Sequence, residues 1–188
     1  MRIMLIRHGM TEANERRLYC GATDLPLTDA GREALLRQKA QGIYPDVSGM
    51  RRISSGMRRT DETMELLFGC APDLRCGEFR EINFGRFEMH SYEELKDDND
   101  YQEWIMDESG RSTPPGGECS ADFRARVIAA AEALAADALV VCHGGVIAAL
   151  MQHFFPESEK NMYQWQPGFG RGYLLERDGG AWRCIAEV

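Results

Sequence analysis

The sequence predicts an α/β fold, a three-layer α/β/α sandwich whose central sheet is mostly parallel. The segment Arg2–Arg7 carries four consecutive apolar residues, and Ala138–Cys142 is apolar throughout. A strand with this pattern is buried on both faces, as strands of parallel sheets are. Helical segments separate the predicted strands, which is the order found in α/β proteins. Two final strands, Arg171–Arg177 and Ala181–Glu187, flank a Gly-Gly turn and predict a C-terminal hairpin.

The helices follow from capping signals and composition. One helix begins after the N-cap residue Thr28 and ends at Gly42. A short strand at Arg51–Ser54 leads into a helix over 57–68, with Ser55 as its expected cap. A capping box or high helix propensity predicts further helices at Ser91–Glu94, 121–136 and 146–154.

Composition and charge limit the classes of function. The 22 Lys+Arg residues against 30 Asp+Glu give a net charge of −8, which argues against a nucleic-acid partner bound by broad phosphate neutralisation. We expect a cytoplasmic protein without membrane contact, because neither a signal peptide nor a bilayer-spanning stretch is present. The six cysteines lack metal-type spacing, which predicts reduced thiols and no metal site. We expect residues 1–188 to form one domain.

Two histidines follow the two most apolar strands directly. His8 comes after Arg2–Arg7, and His143 comes after Ala138–Cys142. The carboxyl ends of parallel strands meet at one edge of a sheet, where ligands of open α/β sheets bind. Gly144 then opens a helix whose N-terminus attracts anions. We therefore expect both histidines in one site.

Arginines near these strand ends point to an anionic ligand. Arg7 precedes His8, and Arg58 and Arg59 occupy the first turn of the predicted helix over 57–68. A cation in a first turn opposes the helix dipole and is unfavourable unless an anion lies nearby. Of the 22 basic residues, 19 are arginine, which suits forked recognition of phosphate oxygens. The pattern predicts a site for a phosphoryl group.

Five segments carry motifs in a specific order. Arg7-His8-Gly9-Met10-Thr11-Glu12-Ala13-Asn14 matches the pattern Arg-His-Gly-x-Thr-x-x-Asn. The others are Cys20-Gly21, the segment 54–63 with Arg59, Glu81–Glu88, and His143-Gly144-Gly145. With these motifs the sequence resembles the histidine phosphatase superfamily, in the branch that contains phosphoglycerate mutases and alpha-ribazole phosphatases. The resemblance runs from residue 1 to about residue 155.

The resemblance implies a phosphoglycerate mutase-like fold and a role for each matched residue. His8 would be phosphorylated, Glu81 would donate the proton, and His143 would be a second catalytic histidine, expected in its protonated form. The phosphate- or substrate-binding residues would be Arg7, Asn14, Cys20, Gly21, Arg59 and Gly144. Arginines would neutralise the phosphoryl charge, so neither a metal nor another cofactor is expected. The partner would be a small phosphorylated substrate, and the oligomeric state stays open.

Three functions are compatible with the resemblance: a phosphomonoesterase, a mutase that returns the phosphate to a second hydroxyl, and a non-catalytic binder. Glu81 argues against the binder, because binding alone requires no proton donor. The resemblance suggests that mutases carry longer insertions between the equivalents of Glu81 and His143, which favours hydrolysis here. The compact length and the motif Pro115-Gly116-Gly117-Glu118 most resemble alpha-ribazole phosphatases.

Two residues depart from the pattern of the family. Met89 stands where many members have glycine, and we expect it to alter the substrate side of the pocket. Cys119 stands where serine is frequent. Neither departure removes a catalytic group.

Overall fold

A computed structural model describes all 188 residues. Its strands are β1 (Arg2–Arg7), β2 (Arg51–Ser54), β3 (Leu74–Arg75), β4 (Ala138–Cys142), β5 (Gly172–Asp178) and β6 (Ala181–Glu187). They form one sheet in the order β3-β2-β4-β1-β5-β6. The first four strands of this order run parallel, and β5 pairs antiparallel with both β1 and β6. The predicted mostly parallel sheet with a C-terminal hairpin is confirmed.

Helices cover both faces of the sheet. They are α1 (Glu12–Glu15), α2 (Asp29–Ala40), α3 (Arg58–Phe68), α4 (Tyr92–Leu95), α5 (Asn99–Met106), α6 (Ser120–Glu132), α7 (Gly144–Phe154) and α8 (Met162–Trp165). Helices α6 and α7 pack on one face, and α2 and α3 pack on the other. None of the helices combines the length and the apolar character that a membrane crossing requires.

The two faces of β1 enter two separate cores. Ile3 and Leu5 pack with α6 and α7, whereas Met4 and Ile6 pack with α2 and α3. All four side chains are at most 1% exposed. Burial on both faces explains the consecutive apolar residues, because an alternating pattern would place polar groups against one of the helix layers. Each such side chain contributes about 1.5–3 kcal/mol of transfer free energy.

Strands β1 and β4 end at the same level. In their parallel pairing Arg7 lies opposite Cys142, so His8 and His143 follow at equivalent positions. The His8 N–H donates to the Cys142 carbonyl at 3.0 Å, which extends the pairing by one residue. The two imidazole rings lie 5.1 Å apart between centroids. The register therefore brings both histidines to the carboxyl edge of the sheet, as the sequence predicts.

Helix ends at α3, α6 and α7 differ from the predicted ones; α7 begins at Gly144 rather than at residue 146. Met57, not Ser55, occupies the N-cap position of α3 and makes no side-chain cap. The Ser55 hydroxyl instead contacts His143, so this serine belongs to the site rather than to the helix start. Helix α6 ends at Glu132 instead of Ala136, because the following residues return the chain to β4.

Four short elements escape the sequence-based prediction: α1, β3, α5 and α8. Three of them have four residues or fewer. Elements this short have little stability of their own, so tertiary contacts decide whether they form. The fourth, α5, is capped by Asp98, whose carboxylate accepts from the Tyr101 N–H at 3.1 Å. This cap lies inside an acidic run. The run shows no apolar periodicity from which a helix could have been predicted.

Met89 adopts a left-handed backbone conformation, with φ of 62°. Its N–H donates to the carbonyl of Tyr19 at 2.7 Å, which holds the segment in this conformation. The left-handed conformation costs an L-residue with a side chain about 1–2 kcal/mol, whereas glycine adopts it freely. A glycine here would relieve this strain, which is a backbone reason for the glycine that the sequence resemblance leads one to expect.

We expect Met89→Gly to be more stable than Met89→Ala by about 0.5–1 kcal/mol. Both changes remove the side chain beyond Cβ, but only glycine relieves the strain, and its freedom in the unfolded chain offsets part of that gain. Urea denaturation of the two variants measures the difference. At Leu36, an exposed position in the middle of α2, the same pair should show the opposite order. Equal stability of the Met89 variants would contradict the strain argument.

Candidate active site

His8 is a neutral imidazole with one nitrogen left free. The side chain is 5% exposed at the end of β1. Its Nδ1 lies 2.6 Å from the carbonyl oxygen of Gly9, and because a carbonyl only accepts, Nδ1 carries the proton. Burial, and then the charge of Arg59, lower the pKa of His8 well below its ordinary value. The lone pair on Nε2 is therefore available as a nucleophile.

Arg59 is a buried cation without an ion pair. Its side chain is 1% exposed in the first turn of α3. The guanidinium donates to the carbonyls of Thr23 at 2.9 Å and Gly21 at 2.7 Å. Its Nε donates to Nδ1 of His143 at 3.3 Å. Arg58, by contrast, is exposed, so the structure places Arg59 beside the histidines, as the motif register implies.

His143 is neutral here, which corrects the expectation of a protonated ring. Its Nδ1 accepts from Arg59 and carries no proton, while Nε2 donates to the Ser55 hydroxyl at 2.8 Å. Burial, and then the charge of Arg59, lower the pKa of His143 well below its ordinary value. A second proton would have to displace the hydrogen bond from Arg59, so the positive charge in this part of the site resides on the arginine.

Arg7 leaves a hydrogen-bond donor unused. Its Nη1 donates to the Pro167 carbonyl at 2.8 Å, and the guanidinium lies 4.2 Å above the ring of Phe169. Its Nε is buried and has no partner. A buried donor without an acceptor costs about 1–3 kcal/mol unless a ligand supplies one. Arg7 also lines the cavity, so its guanidinium can receive an anionic oxygen there.

Glu81 occupies the N-terminus of α7. Its Oε2 accepts from the Gly145 N–H at 2.9 Å, and Oε1 accepts from the Ile82 N–H at 3.1 Å. Burial raises the pKa of Glu81, and these two N–H groups oppose the rise. A Cβ on Gly145 would clash with the Glu81 carboxylate, and one on Gly144 would lie 3.2 Å from the Arg7 guanidinium. The glycine pair makes room for both side chains.

A cavity of about 370 Å³ opens onto these groups. It is lined by six of the nine predicted site residues, Arg7, His8, Asn14, Cys20, Glu81 and Gly144. The lining does not include Arg59, His143 or Gly21. Arg59 and His143 lie buried beside His8. Met89 does not line the cavity, which corrects the expectation that it shapes the substrate side.

Asn14 and Cys20 present different chemistry to the cavity. The Asn14 Oδ1 accepts from the N–H of Thr11 at 3.0 Å and from its hydroxyl at 2.9 Å. The amide NH₂ of Asn14 remains free for a ligand. Burial raises the pKa of the Cys20 thiol, which donates to the Thr23 carbonyl at 3.5 Å. Cys20 is therefore a protonated thiol and a poor nucleophile.

Glu88 organises the loop that holds Arg59. Its carboxylate accepts five groups at 2.7 to 3.1 Å, the N–H groups of Gly21, Ala22, Thr23 and Phe84 and the hydroxyl of Thr23. The Gly21 peptide is thus engaged on both sides, by Glu88 and by Arg59, and does not face a substrate. Sequence reasoning missed this role of Glu88, because most of its donors are backbone groups 65 to 67 residues away.

Three other supporting residues escaped the sequence analysis. Ser55 contacts His143, and the Thr63 hydroxyl accepts from the Gly9 N–H at 2.9 Å. Both belong to a matched motif, which is the signal that could have identified them. Phe169, under Arg7, carries no such signal, because only the folded chain brings it to β1.

A family model described as "Histidine phosphatase superfamily (branch 1)" matches residues 3–187 of the chain. The chain belongs to this superfamily. The adenosylcobalamin/alpha-ribazole phosphatase of Escherichia coli K12 is 28% identical, over 98% of this chain and 89% of the relative. The Salmonella typhimurium protein of that name is 31% identical, over 80% of this chain and 78% of the relative. The crystal structure of phosphoglycerate mutase from Thermus thermophilus matches with a TM-score of 0.77 and 32% identity, over 100% and 98% of the two chains.

Superfamily members related to this chain thus bear both phosphatase and mutase names. Both kinds match most or all of it, so membership of the superfamily supports phosphoryl chemistry and does not choose between hydrolysis and transfer. That choice rests on the residues of the site.

We expect Glu88→Gln to lower the free energy of unfolding by about 2–3 kcal/mol. The amide has one acceptor oxygen in place of two, and its NH₂ would face the backbone donors. Urea denaturation measures the loss. Glu93→Gln is the matched control, since Glu93 is exposed and pairs only with Lys96, so its loss should stay within about 0.5 kcal/mol. Equal losses for the two variants would show that Glu88 does not hold the loop.

Proposed function

We propose that this superfamily member is a phosphomonoesterase that hydrolyses a small phosphate ester through a phosphohistidine at His8. The observation that carries the proposal is the state of His8 at the cavity, neutral, with its proton on Nδ1 and with Nε2 unengaged. Hydrogen bonding within the fold does not use that nitrogen. A free imidazole nitrogen next to unpaired guanidinium groups is suited to attack phosphorus.

In the first step, Nε2 of His8 forms a bond to phosphorus, and the bond from phosphorus to the ester oxygen breaks. Its electron pair stays on the leaving oxygen, which takes a proton from Glu81. In the second step, water attacks phosphorus, the bond to Nε2 breaks, and Glu81 takes the proton from the water. The products are an alcohol and inorganic phosphate, and both side chains return to their starting states.

Positive charge and neutral hydrogen-bond donors reach the transferring oxygens from two sides. Arg7 offers its guanidinium, and Asn14 its free amide, from the cavity wall. The charge of Arg59, which is buried beside His8 and the neutral His143, is only weakly screened there. Cys20 and Gly144 complete the lining. These groups support activity without a metal ion, which is part of the proposal.

Hydrolysis is favoured over transfer by the openness of the cavity. A mutase has to exclude water from its phosphohistidine. At the mouth of this cavity Ile105 is 45% exposed and Tyr163 is 76% exposed, so water has access. The finer assignment, a cytoplasmic alpha-ribazole phosphatase, is supported by the two bacterial relatives with that name and by six free thiols.

The proposal predicts that His8→Ala lowers kcat by at least about 10³-fold while the melting temperature stays near that of the wild type. Brief incubation with ³²P-labelled ester should leave acid-labile phosphohistidine on the wild type only. His153→Ala, which removes an exposed histidine paired with Glu132, is the control and should label normally. Label that persists in His8→Ala would place the nucleophile elsewhere.

The role of Glu81 is tested by the leaving group. With an alkyl ester, Glu81→Gln should slow phosphorylation of His8 by about 10²–10⁴-fold, since an alkoxide needs the proton. With a nitrophenyl ester the loss should be much smaller, because a stable phenoxide leaves without one. Single-turnover labelling isolates this step from the later attack of water. Equal losses with the two esters would exclude Glu81 as the leaving-group acid.

A further inference from the structure

The segment that carries Glu81 has no regular secondary structure of its own. Residues 80–84 lie in neither a helix nor a strand. The Glu81 carboxylate is bound by the Gly145 N–H at the start of α7, but its place also depends on the backbone that carries the side chain. Carbonyl groups outside helices and strands need other partners when they are removed from water. The groups that bind these carbonyls therefore help to place the proton donor.

Arg126 on α6 supplies the partners of this segment. Its Nη1 donates to the carbonyls of Glu78 at 2.7 Å and Arg80 at 3.0 Å. Its Nη2 donates to the carbonyl of Glu81 at 3.2 Å. The remaining two N–H groups donate to the two carboxylate oxygens of Glu118, at 2.7 and 2.8 Å. A guanidinium has five N–H groups, and all five are engaged here.

Glu118 holds Arg126 and contacts the same segment through its backbone. Its carboxylate forms a forked ion pair with the guanidinium, a geometry that fixes orientation as well as charge. Its N–H donates to the Asn83 carbonyl at 2.9 Å. A Cβ on Gly117 would lie 2.5 Å from that carbonyl oxygen, so the loop 115–118 can approach this closely only with glycine there. The loop therefore anchors the segment 80–84 to α6.

Neither Arg126 nor Glu118 lines the cavity. They cannot contact a substrate there, so an effect on the reaction has to pass through a residue that does. Of the three carbonyls that Arg126 binds, one belongs to Glu81 itself and one to the preceding residue. Glu81 is thus the catalytic group whose place these contacts determine.

We propose that Arg126 and Glu118 are positioning residues for the proton donor of the reaction. The proposal rests on the phosphomonoesterase function above and assigns the residues that keep Glu81 in place. Without the fork, the segment 80–84 shifts relative to α7, and the Glu81 carboxyl leaves its position at the ester oxygen. His8 keeps its place, because it follows β1. The loss is therefore confined to esters whose leaving group needs a proton.

The first test is Arg126→Lys. Lysine keeps the positive charge but carries its three N–H groups on one nitrogen, so it cannot bind Glu118 and three carbonyls together. Single-turnover phosphorylation of His8 should slow by about 10-fold with an alkyl ester and by less than about 3-fold with a nitrophenyl ester. For comparison, a misplacement of 1 Å can cost about 10²-fold. Glu118→Gln, the milder change, should show the same imbalance to a smaller degree and carries the test if Arg126→Lys does not fold.

A double variant shows whether Arg126 acts through Glu81. On the background of Glu81→Gln, Arg126→Lys should cause no further loss with the alkyl ester, because the carboxyl that it positions is already absent. Independent effects would instead multiply. A loss by the same factor on both backgrounds would overturn the proposal.

Arg52→Lys is the matched control. The Arg52 guanidinium forms a comparable fork with both carboxylate oxygens of Asp73, on β2 and outside the cavity. Its replacement should change the melting temperature without changing the ratio of the rates with the two esters. Equal losses with the two esters in the Arg126 and Glu118 variants, or the same imbalance in Arg52→Lys, would contradict a positioning role.

Glu81→Gln separates this proposal from the one it rests on. If Glu81→Gln slows both esters equally, the role of Glu81 in the proposed function fails, and the positioning role fails with it. If Glu81→Gln distinguishes the esters but the Arg126 and Glu118 variants do not, the proposed chemistry stands and only the positioning role is wrong.

Discussion

A guanidinium buried without a counter-ion is the constraint on which the rest of the site depends. Arg59 is 1% exposed, and its partners are two carbonyls and an imidazole rather than a carboxylate. Buried charges are normally paired, because removal from water costs several kcal/mol. The fold therefore has to hold Arg59 by geometry, with its backbone on α3, the carbonyls of the loop 21–23, and the ring of His143 after β4. An anion beside His8 would supply the missing negative charge.

The N-terminus of α7 contributes to the site in an indirect way. The start of a helix that opens with a glycine pair is an ordinary place for a phosphate group. Here the Gly145 N–H binds the protein's own carboxylate, Glu81. In the proposed mechanism the helix thus positions the proton donor at the cavity, and recognition of the phosphoryl oxygens falls to side chains such as Arg7. This division explains why a site for an anion can have a glutamate in its wall.

The sequence was sufficient where the relation between residues is local or set by strand pairing. His8 and His143 could be placed together because two strands buried on both faces pair in parallel and end at one edge. The spacing of the motif over residues 54–63 could identify Arg59, rather than its neighbour Arg58, as the arginine of the site. Glu88 could not be assigned its role, since its partners are backbone groups in a loop whose shape no pattern records. The same holds for α5 and α8, which are too short to show a hydrophobic period and which form the outer part of the cavity.

The opposite directions in which the pKa values of His8 and Glu81 move follow from shared burial. In water a histidine holds its proton to higher pH than a glutamic acid does, so the neutral imidazole and the protonated carboxyl would not coexist. Burial disfavours both charged forms, lowering the pKa of His8 and raising that of Glu81. The arginines lower the pKa of His8 further but oppose the rise at Glu81. A bound phosphate ester would offset their charge and raise the pKa of Glu81 again. In the proposed mechanism, the leaving-group proton is therefore held most firmly when the substrate is in place.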